Sequence, residues 1–289
     1  MKYHSYQDLS DCIRRNVWKV PHDVDIIVGV PRSGMIPALM LAELLNKRCA
    51  DLDGFIEGRV MQCGDRGRLM RQGTEGKVLV VDDTIYKGAE LGKVRERLAP
   101  FAGQWQFIFA CIYAESAKAK DMVDICFEDT ACPGDQIFVK EWNALHLYQR
   151  HTGMSMWDID GLLCKDPPND KDKAAYEAYL PEALPMILPT TRIGALVTFR
   201  IERYRAVTEA WLRRYGVEYD RLVMFPAASR EQRNRTMSPA DFKARQYGAA
   251  PWAKMFFESE AKQAERIFQM TRKPVFCYEN GRFYAATPK

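Results

Sequence analysis

The sequence predicts an α/β protein of two domains, each a mostly parallel sheet flanked by helices. Three observations carry that prediction. Short apolar runs end in carboxylates or glycines and lead into helical spacing, and they do so in both halves: Val78 to Val81 into Asp82-Asp83, then Met156-Trp157 into Asp158. The chain's 289 residues suffice for two domains. Its 47% hydrophobic and 28% charged residues describe a soluble globular protein with ample core.

Composition also excludes several classes. No apolar run approaches the roughly 20 residues that span a bilayer, and the start, Met-Lys-Tyr-His-Ser-Tyr-Gln-Asp, lacks a signal-peptide apolar core. A cytoplasmic protein with no membrane partner is expected. The eight cysteines form no Cys-x-x-Cys pair and the four histidines add no zinc-ligand spacing, so reduced thiols are expected. A net charge of +4 is mild, and neither half is basic enough to demand nucleic acid. The densest basic cluster, Arg230, Arg233 and Arg235, has no interleaved aromatics and reads as a solvated loop.

In chain order, Leu9, Cys12, Ile13 and Val17 fall near helical spacing, which predicts an amphipathic helix from Tyr6 to Trp18, closed by Pro21. Asp25-Ile-Ile-Val-Gly-Val then reads as a short buried strand, Pro31 to Gly34 as a loop, and the following residues to about Leu45 as a helix. That loop gathers the Arg32 guanidinium, Ser33, Gly34 and several backbone amides at a helix start, which suits pyrophosphate. Gly58 to Gly76 is rich in Gly, Arg and Gln and reads as a long mobile loop.

Lys77 to Glu90 carries the most specific signal. A strand through Val81 opens into Asp82, Asp83 and Thr84, and Gly88 stands at the start of a helix over Ala89 to Leu98. Carboxylates accept hydrogen bonds from ribose hydroxyls, while a hydroxyl, a glycine and free amides at a helix start hold a phosphate. Further strands are expected over Gln104 to Tyr113, Asp124 to Phe127 and Gln136 to Val139, with the first domain, 1–150, ending near Arg150.

Val-Leu-Val-Val-Asp-Asp-Thr followed by Gly88 resembles the phosphoribosyl-pyrophosphate (PRPP) signature of type I phosphoribosyltransferases, and Pro-Arg-Ser-Gly upstream resembles that family's pyrophosphate loop. Lys87 stands where the family usually has threonine. The resemblance implies the phosphoribosyltransferase fold, magnesium, and a base or small-molecule acceptor. PRPP would contact Arg32, Ser33, Gly34 and the run Asp82, Asp83, Thr84, Ile85, Tyr86, Lys87 and Gly88. Arg66, Arg68 and Arg71 would meet the leaving pyrophosphate from a closing loop, and Trp142 would stack on a base or be structural.

In the second half, Met156-Trp-Asp-Ile-Asp-Gly puts Asp158 and Asp160 at a strand end, where the pair could hold a hard cation and do acid/base work. A strand from Gly194 ends in Thr198, with a helix bearing Tyr204, Val207, Trp211 and Tyr215 after it. Lys243 precedes the apolar run Met255-Phe-Phe, which Glu258 and Glu260 close. In this order these resemble the motifs of haloacid-dehalogenase-type (HAD-like) phosphatases. The resemblance implies a domain over 155–289 with a minimal cap, since Lys165 to Leu180 is too short for a large one. Asp158 would be the nucleophile, Asp160 the acid, and Thr198 and Lys243 the phosphate holders. Magnesium would lie on Asp158, Asp160 and Glu258 or Glu260; Lys254 competes with Lys243, whose spacing is preferred.

Together the resemblances imply a phosphoribosyl transfer coupled to dephosphorylation of a phosphomonoester such as the nucleotide formed, with a homodimer also allowed. Two readings stay open beside it: a PRPP- or nucleotide-binding regulator without turnover, and a nucleotide-depleting defence or stress effector.

Overall fold

The computed structural model describes residues 1–67, 76–132, 137–147, 149–167 and 172–286. By its contacts the chain divides into two compact units, Lys2–Phe138 and Val139–Lys289, the latter including Met1. The sequence placed the end of the first domain near Arg150.

The first unit runs β1 (Lys2–His4), α1 (Tyr6–Asn16), β2 (Val24–Gly29), α2 (Met35–Leu45), β3 (Arg48–Asp51), α3 (Leu52–Ile56), β4 (Gly76–Ile85), α4 (Ala89–Leu98), β5 (Trp105–Ala114) and β6 (Ile125–Asp129). Ser5 and Asp8 start α1 reciprocally: the Asp8 amide donates to Ser5 Oγ at 3.0 Å and the Ser5 amide to Asp8 Oδ2 at 2.8 Å. This capping box satisfies two amides that a helix start leaves open.

Five parallel strands form the sheet, in the order β3-β2-β4-β5-β6. Central β4 aligns Val78 with Ile26 and Val81 with Gly29. Val78 through Val81 are all at most 2% exposed, because a strand paired on both sides and covered on both faces has no solvent side. Burial of each such side chain contributes about 1.5–3 kcal/mol. From β2 the chain crosses outward to β3, and from β4 it crosses the other way to β5. The carboxyl ends of β2 and β4 therefore flank the point where the winding reverses, which is where open α/β sheets leave a crevice.

Past β7 (Phe138–Lys140), at the division, the second unit holds α5 (Gln149–Thr152), β8 (Ser155–Trp157), α6 (Lys173–Glu182), β9 (Ala195–Ile201), α7 (Arg205–Arg214), β10 (Leu222–Phe225), α8 (Arg230–Thr236), α9 (Pro239–Gly248), β11 (Met255–Glu258), α10 (Ala261–Thr271), β12 (Val275–Cys277) and β13 (Phe283–Tyr284). The sheet order is β10-β9-β8-β11-β12-β13, parallel except for the last strand. Met156, Val197, Phe256 and Tyr247 are among its core side chains. Ser238 caps α9, accepting from the Asp241 amide at 3.1 Å, and Pro239 occupies the first turn, where its missing amide costs nothing.

Both units are thus α/β, as the sequence predicts. No helix among the described residues is long and apolar enough to cross a membrane. One expectation is corrected: Arg230, Arg233 and Arg235 lie on helix α8, not a solvated loop, and Arg233 is buried. Ser229 caps this helix by accepting from the Gln232 amide, and the rings beside Arg230 and Arg233 are those of Tyr176 and Phe199, from elsewhere in the chain.

Candidate functional sites

In the first unit the loop after β2 meets the end of β4. The Val30 amide donates to the Val81 carbonyl at 2.9 Å, and Ser33 Oγ donates to Asp83 Oδ1 at 3.0 Å. The Asp83 amide donates to Asp82 Oδ1 at 2.8 Å. Gly34 is what lets the loop lie so close, since a Cβ there would stand 2.6 Å from the Val30 carbonyl and 2.8 Å from that of Val81. The Pro31–Arg32 peptide is cis. Asp83 is buried, Asp82 half-buried, and Arg32 exposed.

Beyond β4, Gly88 sits before α4 with φ +76°, a conformation glycine adopts without a Cβ penalty, and a Cβ there would press on Met122 Sδ at 2.6 Å. Thr84 Oγ1 is buried, and no hydrogen-bond partner is found for it among the described residues. A buried hydroxyl left open costs free energy unless a ligand or water satisfies it, so it fits a site for a polar ligand.

The run 82–88 does not act as one surface. Ile85 is 3% exposed and packs in the core, and its carbonyl accepts from the Glu115 amide at 2.9 Å. Its side chain is therefore part of the core, and any contact the residue makes with a ligand falls to its backbone. Tyr86 and Lys87 are exposed, with Lys87 Nζ 5.8 Å from the Tyr86 ring centre. Arg66 lies in the short 3-10 turn Gly64–Gly67, and Arg68 and Arg71 fall outside the described residues. Trp142 sits half-buried in the 3-10 stretch Glu141–His146.

In the second unit three adjacent strands meet: Asp158 follows β8, Glu258 ends β11, and Thr198 lies in the middle of β9, which runs on to Ile201 and does not end at Thr198 as the sequence suggests. Lys243, from α9, stands among them. Its Nζ donates to Asp158 Oδ2 at 2.6 Å, Glu258 Oε2 at 2.8 Å and Gln263 Oε1 at 3.0 Å. Asp158, Lys243 and Glu258 are each at most 3% exposed. Burial would lower the Lys243 pKa, but the two carboxylates outweigh it and hold the ammonium above its ordinary range. Burial pushes Asp158 well above the ordinary carboxyl range against the pull of Lys243, and neighbouring Glu258 adds to the rise.

Asp160 has a separate partner. Arg200, 1% exposed, grips it with Nη2 to Oδ1 at 2.6 Å and Nε to Oδ2 at 3.0 Å. Its Nη1 donates to Thr208 Oγ1 at 3.3 Å. Burial would raise the Asp160 pKa, but the Arg200 charge and hydrogen bonds outweigh it and keep the carboxyl below its ordinary range. Asp160 is thus held ionised, which disfavours the expected role of proton donor. Thr198 Oγ1 accepts from the Arg200 amide at 3.2 Å.

The expected magnesium ligands are not gathered into a set. Lys243 lies between Asp158 and Glu258, Arg200 occupies Asp160, and the exposed Glu260 pairs with Gln263 Nε2 at 2.6 Å. Among the described residues, no three acidic, histidine or cysteine side chains are grouped to hold a metal ion. As arranged, these residues do not fit the expected centre. Lys254 lies outside this cluster, exposed, with Nζ on the Pro251 carbonyl at 3.3 Å.

A cavity of about 830 Å³ opens on this cluster, lined by Asp158, Asp160, Lys243 and Ser259 at one part and by Tyr176, Phe199 and Arg233 at another. The sequence reading missed Arg200, Ser259 and these last three. Only Arg200 left a signal, as an arginine two residues past Thr198 at a strand end.

No family model matches the chain, and no curated protein matches it. Solved structures similar to it include the xanthine-guanine-hypoxanthine phosphoribosyltransferase of Helicobacter pylori, at 17% identity and TM-score 0.36 over 49% of this chain and 91% of that one. A purine phosphoribosyltransferase from Pyrococcus horikoshii is 20% identical at TM-score 0.36, over 49% of this chain and 92% of that one. A hypothetical protein from Neisseria gonorrhoeae with bound ppGpp is 18% identical at TM-score 0.37, over 50% and 90%. At these scores the likeness carries no functional weight, so function has to be read from the residues.

Proposed function

We propose that the first unit transfers a phosphoribosyl group from PRPP to a base or small-molecule acceptor, and that the second hydrolyses a phosphomonoester, the transfer product being its candidate substrate. The observation that supports the first step most is the Ser33–Asp83 hydrogen bond, which joins the Pro31–Gly34 loop to the carboxylate strand end beside the open Thr84 hydroxyl.

In that arrangement pyrophosphate lies on Arg32 to Gly34, ribose hydroxyls on Asp82 and Asp83, and the 5′-phosphate on Thr84 and the Gly88 turn. Magnesium bound to PRPP would supply charge neutralisation at the pyrophosphate. The protein's own contribution is to hold the acceptor in line with the anomeric carbon and to offer the Arg32 charge to the leaving group.

In the second unit Asp158 attacks phosphorus, and Lys243 and Thr198 hold phosphoryl oxygens. With Asp160 paired to Arg200, the leaving oxygen takes its proton from a water molecule in the open cavity. Water then cleaves the aspartyl phosphate.

The test supplies PRPP and candidate acceptors to wild type and to Asp158→Asn. Wild type should release both pyrophosphate and orthophosphate, and Asp158→Asn should release pyrophosphate and accumulate the phosphorylated product. PRPP binding without pyrophosphate release would instead make the first unit a sensor. Equal PRPP affinity of wild type and Asp82→Asn/Asp83→Asn by calorimetry would remove the site.

A further inference from the structure

The arginines of α8 acquire a role once their surroundings are known. Arg233 is 8% exposed, with its Cζ 4.5 Å from the Phe199 ring centre, and Arg230 Cζ stands 4.7 Å from the ring centre of Tyr176. Arg233 Nη1 donates to the Phe199 carbonyl at 2.9 Å, and its Nε donates to Asn234 Oδ1 at 2.9 Å. Those bonds hold the guanidinium beside the Phe199 ring. Phe199 is itself held edge-on by Phe225, with ring centres 4.9 Å apart.

Tyr176, Phe199 and Arg233 all line the cavity that also contains Asp158 and Lys243, and at about 830 Å³ it is far roomier than a phosphate group requires. Aromatic rings and arginine planes hold flat π-systems by stacking, with little dependence on which base is presented. Phe199 and Arg200 of β9 both line the cavity, so this strand supplies part of the wall as well as the Asp160 partner.

We propose that Tyr176, Phe199 and Arg233 form a base subsite, so that the second unit accepts nucleoside monophosphates, the phosphate at Asp158 and Lys243 and the base stacked on this wall. The phosphate end of this assignment rests on the phosphomonoesterase reading above; the base end does not. Arg230, stacked on Tyr176, is a positioning residue that holds that ring.

The experiment uses the full chain with AMP, UMP and the baseless probe ribose 5-phosphate. Hydrogen exchange should show AMP and UMP protecting peptides over 176–182 and 230–239, with ribose 5-phosphate leaving them unprotected. Kinetics should show a KM for AMP at least about tenfold below that for ribose 5-phosphate, as loss of one stacked base implies. Phe199→Leu should raise the AMP KM about tenfold and leave the ribose 5-phosphate KM unchanged. Arg230→Ala, at a half-buried position, should move it in the same direction, and serves if Phe199→Leu fails to fold. Protection by AMP with no hydrolysis of any probe would leave the subsite standing and remove the phosphomonoesterase reading. Hydrolysis of all three probes at equal KM, no protection of α8, or equal losses on AMP and ribose 5-phosphate in the variants would overturn the subsite and leave the phosphomonoesterase reading intact.

Discussion

Replacing Lys243 by methionine keeps most of its length and removes the one ammonium that serves Asp158 at 2.6 Å and Glu258 at 2.8 Å. Both carboxylates are almost wholly buried, so neither can turn to water for the lost charge. Removing one partner of a buried ion pair costs about 3–5 kcal/mol, chiefly because the other charge is left uncompensated. Here one carboxyl can limit the loss by keeping a proton, since burial already raises Asp158. Lys243→Met should therefore lower the opening free energy of the β8 and β11 peptides by about 3–5 kcal/mol in hydrogen exchange on the full chain. Adding Glu258→Gln removes the second buried negative charge and should recover part of that loss, giving a coupling above about 1 kcal/mol in the double-mutant cycle. A loss under about 1 kcal/mol, or strict additivity, would refute the view that one cation holds the cluster together.

Three further outcomes follow from the same geometry. Because Arg200 keeps the Asp160 pKa below its ordinary value, their pair contributes fully above the ordinary carboxyl range, and the contribution is lost as pH falls through the depressed value. Asp160→Asn should thus be destabilised by about 3 kcal/mol at neutral pH, with the gap to wild type narrowing in urea unfolding as pH falls below the ordinary carboxyl range; a constant gap would contradict the pairing. Gly34→Ala forces a Cβ against two carbonyl oxygens of fixed backbone, so it should cost about 1–3 kcal/mol and weaken PRPP binding, and calorimetry with unchanged affinity would separate the loop from the site. Gly88→Ala adds positive-φ strain to a contact with Met122 and should lower the melting temperature, whereas an unchanged melt would mean the turn relaxes freely.

The strands of both units were legible because their signal is local, although β4 runs on through Asp82 and Asp83 to Ile85 and β9 past Thr198 to Ile201, where loops were expected. A β-branched run that stops at two carboxylates has few alternatives, and Val78 to Val81 do form the centre of the first sheet. The Ile85 side chain lies in the core, which leaves the backbone as the part of that residue open to the proposed PRPP contact. The helix over Gln149–Thr152 and the short helix α3 left no comparable signal, each being too brief for periodicity to register.

What the sequence could not show was which charge meets which. Asp160 and Arg200 lie on separate strand ends, and nothing in Asp-x-Asp-Gly indicates that a guanidinium from β9 will take the second carboxylate. That one contact changes the chemistry assigned to the motif, since a carboxylate paired with a buried arginine accepts hydrogen bonds and gives up no proton. The arginines of α8 make the same point in reverse. Read along the chain they have no aromatic neighbours, yet Phe199 and Tyr176 come to them from β9 and α6. One arginine of a cluster that looked solvated, Arg233, therefore becomes part of a cavity wall, and the stacking partners that would distinguish a binding surface from a solvated helix are set by tertiary packing, not by spacing.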